Sequence, residues 1–495
     1  MNGSIIRRII GYVLMLEAVF LLLPCVVAFI YGESQATAYI IVSAICIVIG
    51  GILAIKKPIN NVFYLKEGCV AVALSWISLS IFGAIPFVLT REIPNYIDAL
   101  FETVSGLSTT GASILNDVEA LSHCSLFWRS FTHWIGGMGI LVFILAIIPL
   151  SGGSNINLMR AESPGPSTGK LVPKMRETAV ILYTIYFVMT ALEVVLLVAG
   201  GEPLFDALTT AFGTAGTGGF GIKNDSIASY SPYVQWVIIV FMTLFGVNFN
   251  AYYLIIFRKF KKAFSIEETW WYFGIIGFAI AVILIDTIKI YSTASEAFLH
   301  TSFQVTSLLS STGFSTTDFN TWSSTSKTVL VLLMFVGASS GSTGGGIKVS
   351  RYIISIKSVL REIYSYIHPK SVKRVKLDGK PIEYELVKST NVYFITFALI
   401  FVISLFLISF EGYDLTTNFT AVLATINNIG PGLEGVGPTH NFSMFSAFSK
   451  LVLIFDMLAG RLELFPMLIL FNPTLWMDTG KQQSIRMKKK LKSKR

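Results

Sequence analysis

The chain has 495 residues, of which 53% are hydrophobic and only 14% charged, with a formal net charge of +9. Its apolar residues gather into stretches of about 20, the length a helix needs to cross a bilayer, which makes it a polytopic membrane protein and sets aside a soluble globular class. In chain order the expected spans are 9–31, 39–55, 69–89, 127–150, 179–199, 234–257, 270–290, an interrupted one from 328 to about 364, 392–410 and 447–475, ten crossings in all. The first follows Arg7 and Arg8 and precedes the small residues Ala36 and Ala38, as a cleaved leader would. Its apolar stretch exceeds the roughly 7 to 15 residues of such a leader, and a second span follows at once, so we read it as a retained helix. Cys25, Cys46, Cys69 and Cys124 are widely spaced, without metal-ligand spacing, and read as small apolar side chains.

Positively charged loops stay in the cytoplasm, which orients the chain. Of its 38 Lys and Arg residues, Arg91, Arg129, Lys223, Lys289, Lys327 and Lys450 fall in outward segments when the amino terminus is inside. Arg461 alone lies deep in a span, and all the others fall in inward segments. The basic tail containing Lys488, Lys489, Lys490 and Lys492 then reads as an inside-positive anchor rather than a nucleic-acid site, and both termini are expected in the cytoplasm.

Beyond residue 65 the sequence repeats a pattern four times: span, short amphipathic half-segment, glycine-centred strip, span. The strips are 108–113, 215–220, 310–315 and 427–432. Helix-start signals open the half-segments, at Pro94 and Asn95, Pro203, Ser295 and Glu296, and Asp414. Each is long enough for about three helical turns, roughly 15 to 18 Å. It can therefore descend halfway through the membrane, with its partially negative carboxyl end at the centre. The strip must then return with its carbonyl oxygens facing inward, which favours glycine. Four such strips give rings of carbonyl oxygens able to replace a cation's hydration shell. Candidate ion-binding residues are Thr109, Thr110 and Gly111; Thr217, Gly218 and Gly219; Ser311, Thr312 and Gly313; and Asn428, Ile429 and Gly430. Thr-Gly pairs also occur at 168–169, 343–344 and 479–480, on or near the cytoplasmic side. Position, not the dipeptide, carries the signal.

Span eight contains Gly337, Gly341, Gly344, Gly345 and Gly346 within ten residues, each costing a helix about 1 kcal/mol relative to Ala. A loop at that depth must line water or protein. It reads either as an obstruction on the cytoplasmic side of the strips or as a surface connector. Arg461, costing at least about 2.5 to 3.5 kcal/mol at mid-span, must face a partner or a wet space. It either lines the pathway and bonds the loop's carbonyls, or pairs with an acid on another helix such as Glu17 or Glu193. His133 and His300 read as helix-packing hydrogen bonders. Asp98, Asp206, Glu296 and Asp414 gather cations at the outer mouth or serve only as helix-start acids.

These residues resemble the Trk/Ktr/HKT potassium transporters, most closely the TrkH branch, whose two extra amino-terminal helices would be 9–31 and 39–55. The likeness covers nearly the whole chain. It includes the strips, the sequence His133-Trp134-Ile135-Gly136-Gly137-Met138-Gly139, the run 337–348 and Gly460-Arg461-Leu462-Glu463-Leu464-Phe465-Pro466. The resemblance implies an all-α integral membrane fold of four helix, pore-loop, helix repeats around one pore, plus two extra amino-terminal transmembrane helices. The expected division is 1–65 for the amino-terminal pair, 66–150, 177–262, 268–366 and 389–478 for the pore repeats, and 479–495 for a cytoplasmic tail.

It further implies K⁺ as the transported ion at the filter residues, and an intramembrane gate of Gly337, Ser339, Gly341, Gly344, Gly345, Gly346 and Arg461. A serine in the first strip goes with sodium-permeable relatives, so Gly111 favours potassium. Ile429 replaces threonine in the fourth strip, and fewer ordered ion sites are expected than in tetrameric potassium channels. The implied setting is a bacterial inner membrane, as a homodimer in contact with lipid. The implied partner is a cytoplasmic NAD- or ATP-binding TrkA-type subunit, for which the bases of 348–388 and 481–495 offer a docking surface. No cofactor is expected in this chain, since no Gly-x-x-x-x-Gly-Lys-Ser/Thr loop marks a nucleotide site, and no nucleic acid, since the positive charge reports topology. Two rivals stand beside a passive pore: a proton- or sodium-coupled symporter using Glu17, Glu193, Asp456 or Glu463, and a membrane-embedded hydrolase using His133 or His300.

Overall fold

The structure, a computed structural model, describes residues 1–56, 64–139, 175–370 and 373–476. It is helical throughout apart from one two-stranded hairpin, Lys376–Leu377 with Lys380–Pro381. The basic tail at 479–495 lies outside the described residues, as does the end of the expected span 127–150.

Two amino-terminal helical segments, Gly3–Tyr31 and Ala36–Ile55, pack on each other and on the first repeat. Each repeat then supplies an outer helix, a pore helix and an inner helix. The outer helices are Leu65–Leu89, Met175–Ala199, Glu267–Thr287 and Tyr384–Ile408. The pore helices are Tyr96–Leu107, Leu204–Ala215, Ala294–Leu309 and Leu415–Ile426. Asn95, Thr293 and Asp414 cap three of these with their side chains, and Pro203 opens the fourth. Each pore helix packs against both helices of its own repeat and against the inner helix of the preceding repeat. The first closes onto the fourth repeat's inner helix, so the arrangement is cyclic.

The inner helices are His123–Met138, Pro232–Phe245, Ser324–Phe335 and Ala447–Arg461. All start alike, with the hydroxyl of Ser122, Ser231, Ser323 or Ser446 accepting the backbone N–H three residues on. All also stop early, which corrects two expected spans. The one at 234–257 is two helices, Pro232–Phe245 and Phe249–Ile256, bent by 90°. The one at 447–475 breaks after Arg461, where Glu463 and Leu464 have φ of 56° and 67°. Gly246 explains the first bend, because a Cβ there would lie 2.2 Å from the Tyr272 hydroxyl that fills the corner.

Candidate pore and gate

Every pore helix ends in the same turn. Thr109, Thr217, Ser311 and Asn428 take left-handed backbone at φ of 57°, 53°, 59° and 54°, and two residues later Gly111, Gly219, Gly313 and Gly430 do so at 81°, 78°, 83° and 97°. Amides between them fold back on the helix: Thr110 N–H donates to Ser105 O, Gly218 to Gly213 O, Thr312 to Ser307 O and Ile429 to Ala424 O, at 2.8 to 2.9 Å. This closes the helix terminus in the manner of a Schellman cap and frees the next carbonyls to point elsewhere.

Those strips form one ring. A Cβ on Gly111 would lie 2.1 Å from the Gly218 oxygen, one on Gly219 would lie 1.9 Å from the Thr312 oxygen, one on Gly313 1.9 Å from the Ile429 oxygen, and one on Gly430 2.8 Å from the Thr110 oxygen. Each strip thus meets the next at the same peptide, and the fourth meets the first. Outer loops repeat the order. Val118 N–H donates to Asn224 Oδ1, Ile227 to Ser315 O, Glu434 to Asn320 Oδ1 and Phe442 to Ser113 O.

The second strip has three glycines, and the ring assigns them different jobs. Only Gly219 occupies the left-handed position. Gly218 takes the place that Thr110, Thr312 and Ile429 hold elsewhere, and a Cβ on it would lie 2.2 Å from the His133 ring. A Cβ on Gly216 would likewise lie 2.2 Å from the His133 carbonyl oxygen. His133 donates from Nδ1 to Gly106 O at 2.7 Å and accepts the Phe220 N–H at Nε2 at 3.2 Å. It therefore joins the first pore helix to the second strip, the packing role expected of it.

Polar side chains brace the ring. Asn428 Nδ2 donates to Thr110 Oγ1 and Met457 O, both at 2.9 Å. Thr110 pairs with Ser108, and Thr312 with Ser310, at 2.7 Å. Arg129 and Lys450, assigned from sequence to outward segments, are buried there. Arg129 pairs with Glu102 at 2.6 Å and donates to Gly221 O at 2.7 Å, and Lys450 pairs with Asp98 at 2.6 Å. Glu102 also accepts from Ser113 and from the Ile114 amide, so it holds the exit of the first strip. Asp414 serves as a helix start. Its carboxylate accepts the Thr417 amide at 2.9 Å and the Thr417 hydroxyl, and these bonds hold its pKa below the ordinary value.

The glycine loop of the third repeat lies against the pore-helix ends of the third and fourth strips. Gly345 N–H donates to Ser311 Oγ at 2.6 Å, Gly344 has room for no Cβ beside Ala338 and Ser310 O, and Gly345 has none beside Asn427 O and Asn428. Gly337 and Gly346 cross closely, with Gly337 N–H bonded to Ile347 O at 2.9 Å, while Gly341 and Gly346 take φ of 68°. Ser339 N–H donates to Gly246 O at 3.0 Å, and Gly341 O accepts from Phe249 at 3.1 Å.

Arg461 reaches this loop. Its guanidinium donates to Thr343 O at 2.9 Å, to Gly137 O at 2.7 Å and to Gly136 O. A fourth-repeat charge thereby ties the third-repeat loop to the end of the first inner helix. Three further residues complete the cluster: Glu268, which the sequence reading missed, and Lys348 and Arg351, which it gave only as bases of 348–388. Buried Lys348 bonds Gly344 O and Gly345 O; Glu268 accepts Ser340 N–H at 2.7 Å and Ser350 N–H at 2.9 Å, bracketing the loop; Arg351 forms a bidentate pair with Glu463. Glu463 was legible as an acid beside Arg461 and as a candidate coupling carboxylate, whereas its partner in the structure lies 112 residues away.

Comparison with known proteins agrees with this geometry. The family profile of TrkH, described as cation transport protein, matches residues 35–290 and 268–478. The Trk system potassium uptake protein TrkH of Salmonella typhimurium is 34% identical over 488 residues, 97% of this chain and 100% of its own. That of Halomonas elongata is 31% identical over 484 residues, 96% of this chain and 100% of its own. Among solved structures, the potassium transporter TrkH from Vibrio parahaemolyticus superposes with a TM-score of 0.86 at 30% identity, covering 96% of this chain and 100% of that one. The chain belongs to the TrkH family of cation transport proteins.

Proposed function

We propose that the chain is a potassium uptake protein of a bacterial inner membrane, with both termini in the cytoplasm. K⁺ is passed by the ring of strips and held back by the glycine loop with Arg461. The observation that carries this reading is the closed ring, in which four equivalent peptides meet in cyclic order. Carbonyls of 109–111, 217–219, 311–313 and 428–430 replace water around the ion, and four pore-helix carboxyl ends add partial negative charge at the inner end. Inward movement is driven by the membrane potential, about 2.3 kcal/mol per charge at 100 mV. Arg461 places a cation beside that route and, with Lys348, fixes the loop across it. The relatives' names, as potassium uptake proteins, favour K⁺ as the ion.

The repeats at 66–150, 177–262, 268–366 and 389–478 act as four quarters of one pore, carried with the 1–65 pair in a homodimer. Opening is controlled by a separate cytoplasmic NAD- or ATP-binding TrkA-type subunit docking on the bases of the tail and on the exposed ones of 348–388, namely Lys370, Lys373, Arg374, Lys376, Lys380 and Lys388, since Lys348 and Arg351 are buried in the loop cluster. Neutralising those bases should abolish its binding in a pull-down with the purified protein. Ion flux into liposomes tests the reading, with K⁺, Rb⁺ and Na⁺ compared for wild type and Gly111→Ser. Wild type should prefer K⁺ and Rb⁺. The serine, strained at φ of 81° and pressed on the Gly218 oxygen, should erode that preference. Equal selectivity in the two proteins would refute the filter.

A coupled variant of the reading rests on Glu17, Glu193 and Asp456, carboxyls fully buried beside the pore repeats. Coupling requires flux to follow the external pH or sodium gradient, and flux indifferent to both removes it.

A further inference from the structure

Between the second inner helix and the third outer helix the chain makes an elbow. After the 90° bend, helix Phe249–Ile256 runs off to one side, Arg258 turns at φ of 57°, and a single helical turn, Phe260–Ala263, leads into Glu267–Thr287. The bent pair Pro232–Phe245 and Phe249–Ile256 on one side and Glu267–Thr287 on the other are apolar enough to span a membrane, which on the inside-positive reading sets residues 257–266 at the boundary between hydrocarbon and water. Two kinds of side chain alternate there. Phe257, Phe260, Phe264 and Trp270 are exposed, and so are Arg258, Lys259, Lys261 and Lys262. None of these four bases forms an ion pair among the described residues. Nearby acids are already engaged: Glu267 with Lys357 at 2.6 Å, and Glu268 with the loop amides. Inside-positive topology accounts for the bases alone. Exposed aromatic rings interleaved with them fit a surface that is covered by acyl chains and anionic headgroups together.

The same elbow grips the glycine loop at both ends of its bend. Gly246 O accepts from Ser339, Phe249 N–H donates to Gly341 O, Phe245 O accepts from the Thr343 hydroxyl at 3.3 Å, and Asn248 packs on Gly341. A pull on 257–264 has a short covalent and hydrogen-bonded route to the loop.

We propose that residues 257–264 bind the headgroup of an anionic phospholipid of the inner leaflet, and that occupancy of this site shifts the position of the glycine loop through the 245–249 elbow. The regulatory part rests on the loop being the gate.

The test compares wild type with the R258Q/K259Q/K261Q/K262Q variant and, as a charge control, with K56Q/K57Q/K66Q, bases of another inward segment. Phosphatidylglycerol retained by each purified protein is measured by native mass spectrometry. Coupling is measured by Rb⁺ flux in vesicles of phosphatidylcholine with rising phosphatidylglycerol, and by the maleimide labelling rate of Ser342→Cys in proteins whose four native cysteines are serine. Wild type and the charge control should retain the lipid and change flux and labelling by about fivefold across the lipid series. The elbow variant should lose both. Equal retention by all three proteins overturns the site, as does a variant that keeps the lipid but loses the cytoplasmic subunit. Loss of retention with lipid-independent labelling overturns the coupling. Absence of flux from every protein strikes the transport reading alone, since retention and labelling still decide this one.

Discussion

At the scale of single residues, the second strip shows how chemically identical glycines carry different constraints. A Cβ on Gly219 would press on backbone, at the Thr312 oxygen, whereas one on Gly218 would press on a side chain, the His133 ring. Gly218→Ala should therefore be partly rescued in a His133→Ala background, and Gly219→Ala should not, with K⁺ over Na⁺ flux as the readout. His133→Ala itself breaks two buried bonds and should destabilise the purified protein by about 1 to 3 kcal/mol in thermal unfolding. Arg461 is the second pivotal residue. Charge-assisted bonds to Thr343 O, Gly136 O and Gly137 O are each worth about 1.5 to 3 kcal/mol, so losing even one net bond allows roughly tenfold more open loop. Arg461→Ala should raise flux without the regulatory subunit by at least that order, and Arg461→Lys by less. Unchanged flux in Arg461→Ala would exclude the residue from the gate.

At the scale of elements, the pore helices were legible because their start signals and strip glycines are local features. Of the inner-helix breaks, the glycine-rich one after Ser324–Phe335 was legible, and those within 234–257 and 447–475 were not. The bend at 246–248 follows from the Tyr272 hydroxyl of another repeat, and the end of Ala447–Arg461 from partners 112 and more residues away. A run of apolar residues such as 234–257 reads as one straight span when only hydropathy is available. The four serine caps of the inner helices were a signal within reach, since each is followed by the start of an apolar stretch. Replacing any of them by alanine should cost about 1 kcal/mol, read as a lower unfolding temperature. Asp414 adds a pH-dependent element. Its folded-state pKa lies below the ordinary value because Thr417 bonds the charged form, so its contribution is present above the unfolded pKa and fades as pH falls through the depressed one. Asp414→Ala should accordingly destabilise at neutral pH, and the gap from wild type should narrow only on acidification below the ordinary aspartate range.

At the scale of the whole molecule, cyclic closure links sequence and function. Fourfold repetition is visible in the primary structure, but it does not reveal that the first and fourth quarters touch. Gly430 against Thr110 O, Phe442 against Ser113 O and the first pore helix against the fourth inner helix supply that contact. The network around the glycine loop is asymmetric by contrast. One repeat provides the loop, another provides Arg461, and Lys348, Glu268 and the Arg351–Glu463 pair lock them together, which suits an obstruction crossing an otherwise symmetric conduit.

Anomalous diffraction from crystals equilibrated with Rb⁺ is the most direct measurement of the central claim. Peaks should fall on the axis shared by the four strips, coordinated by carbonyl oxygens that include those of Thr110, Gly218, Thr312 and Ile429. Rb⁺ bound only away from that axis, with the ring free of ions in a saturating soak, would contradict it.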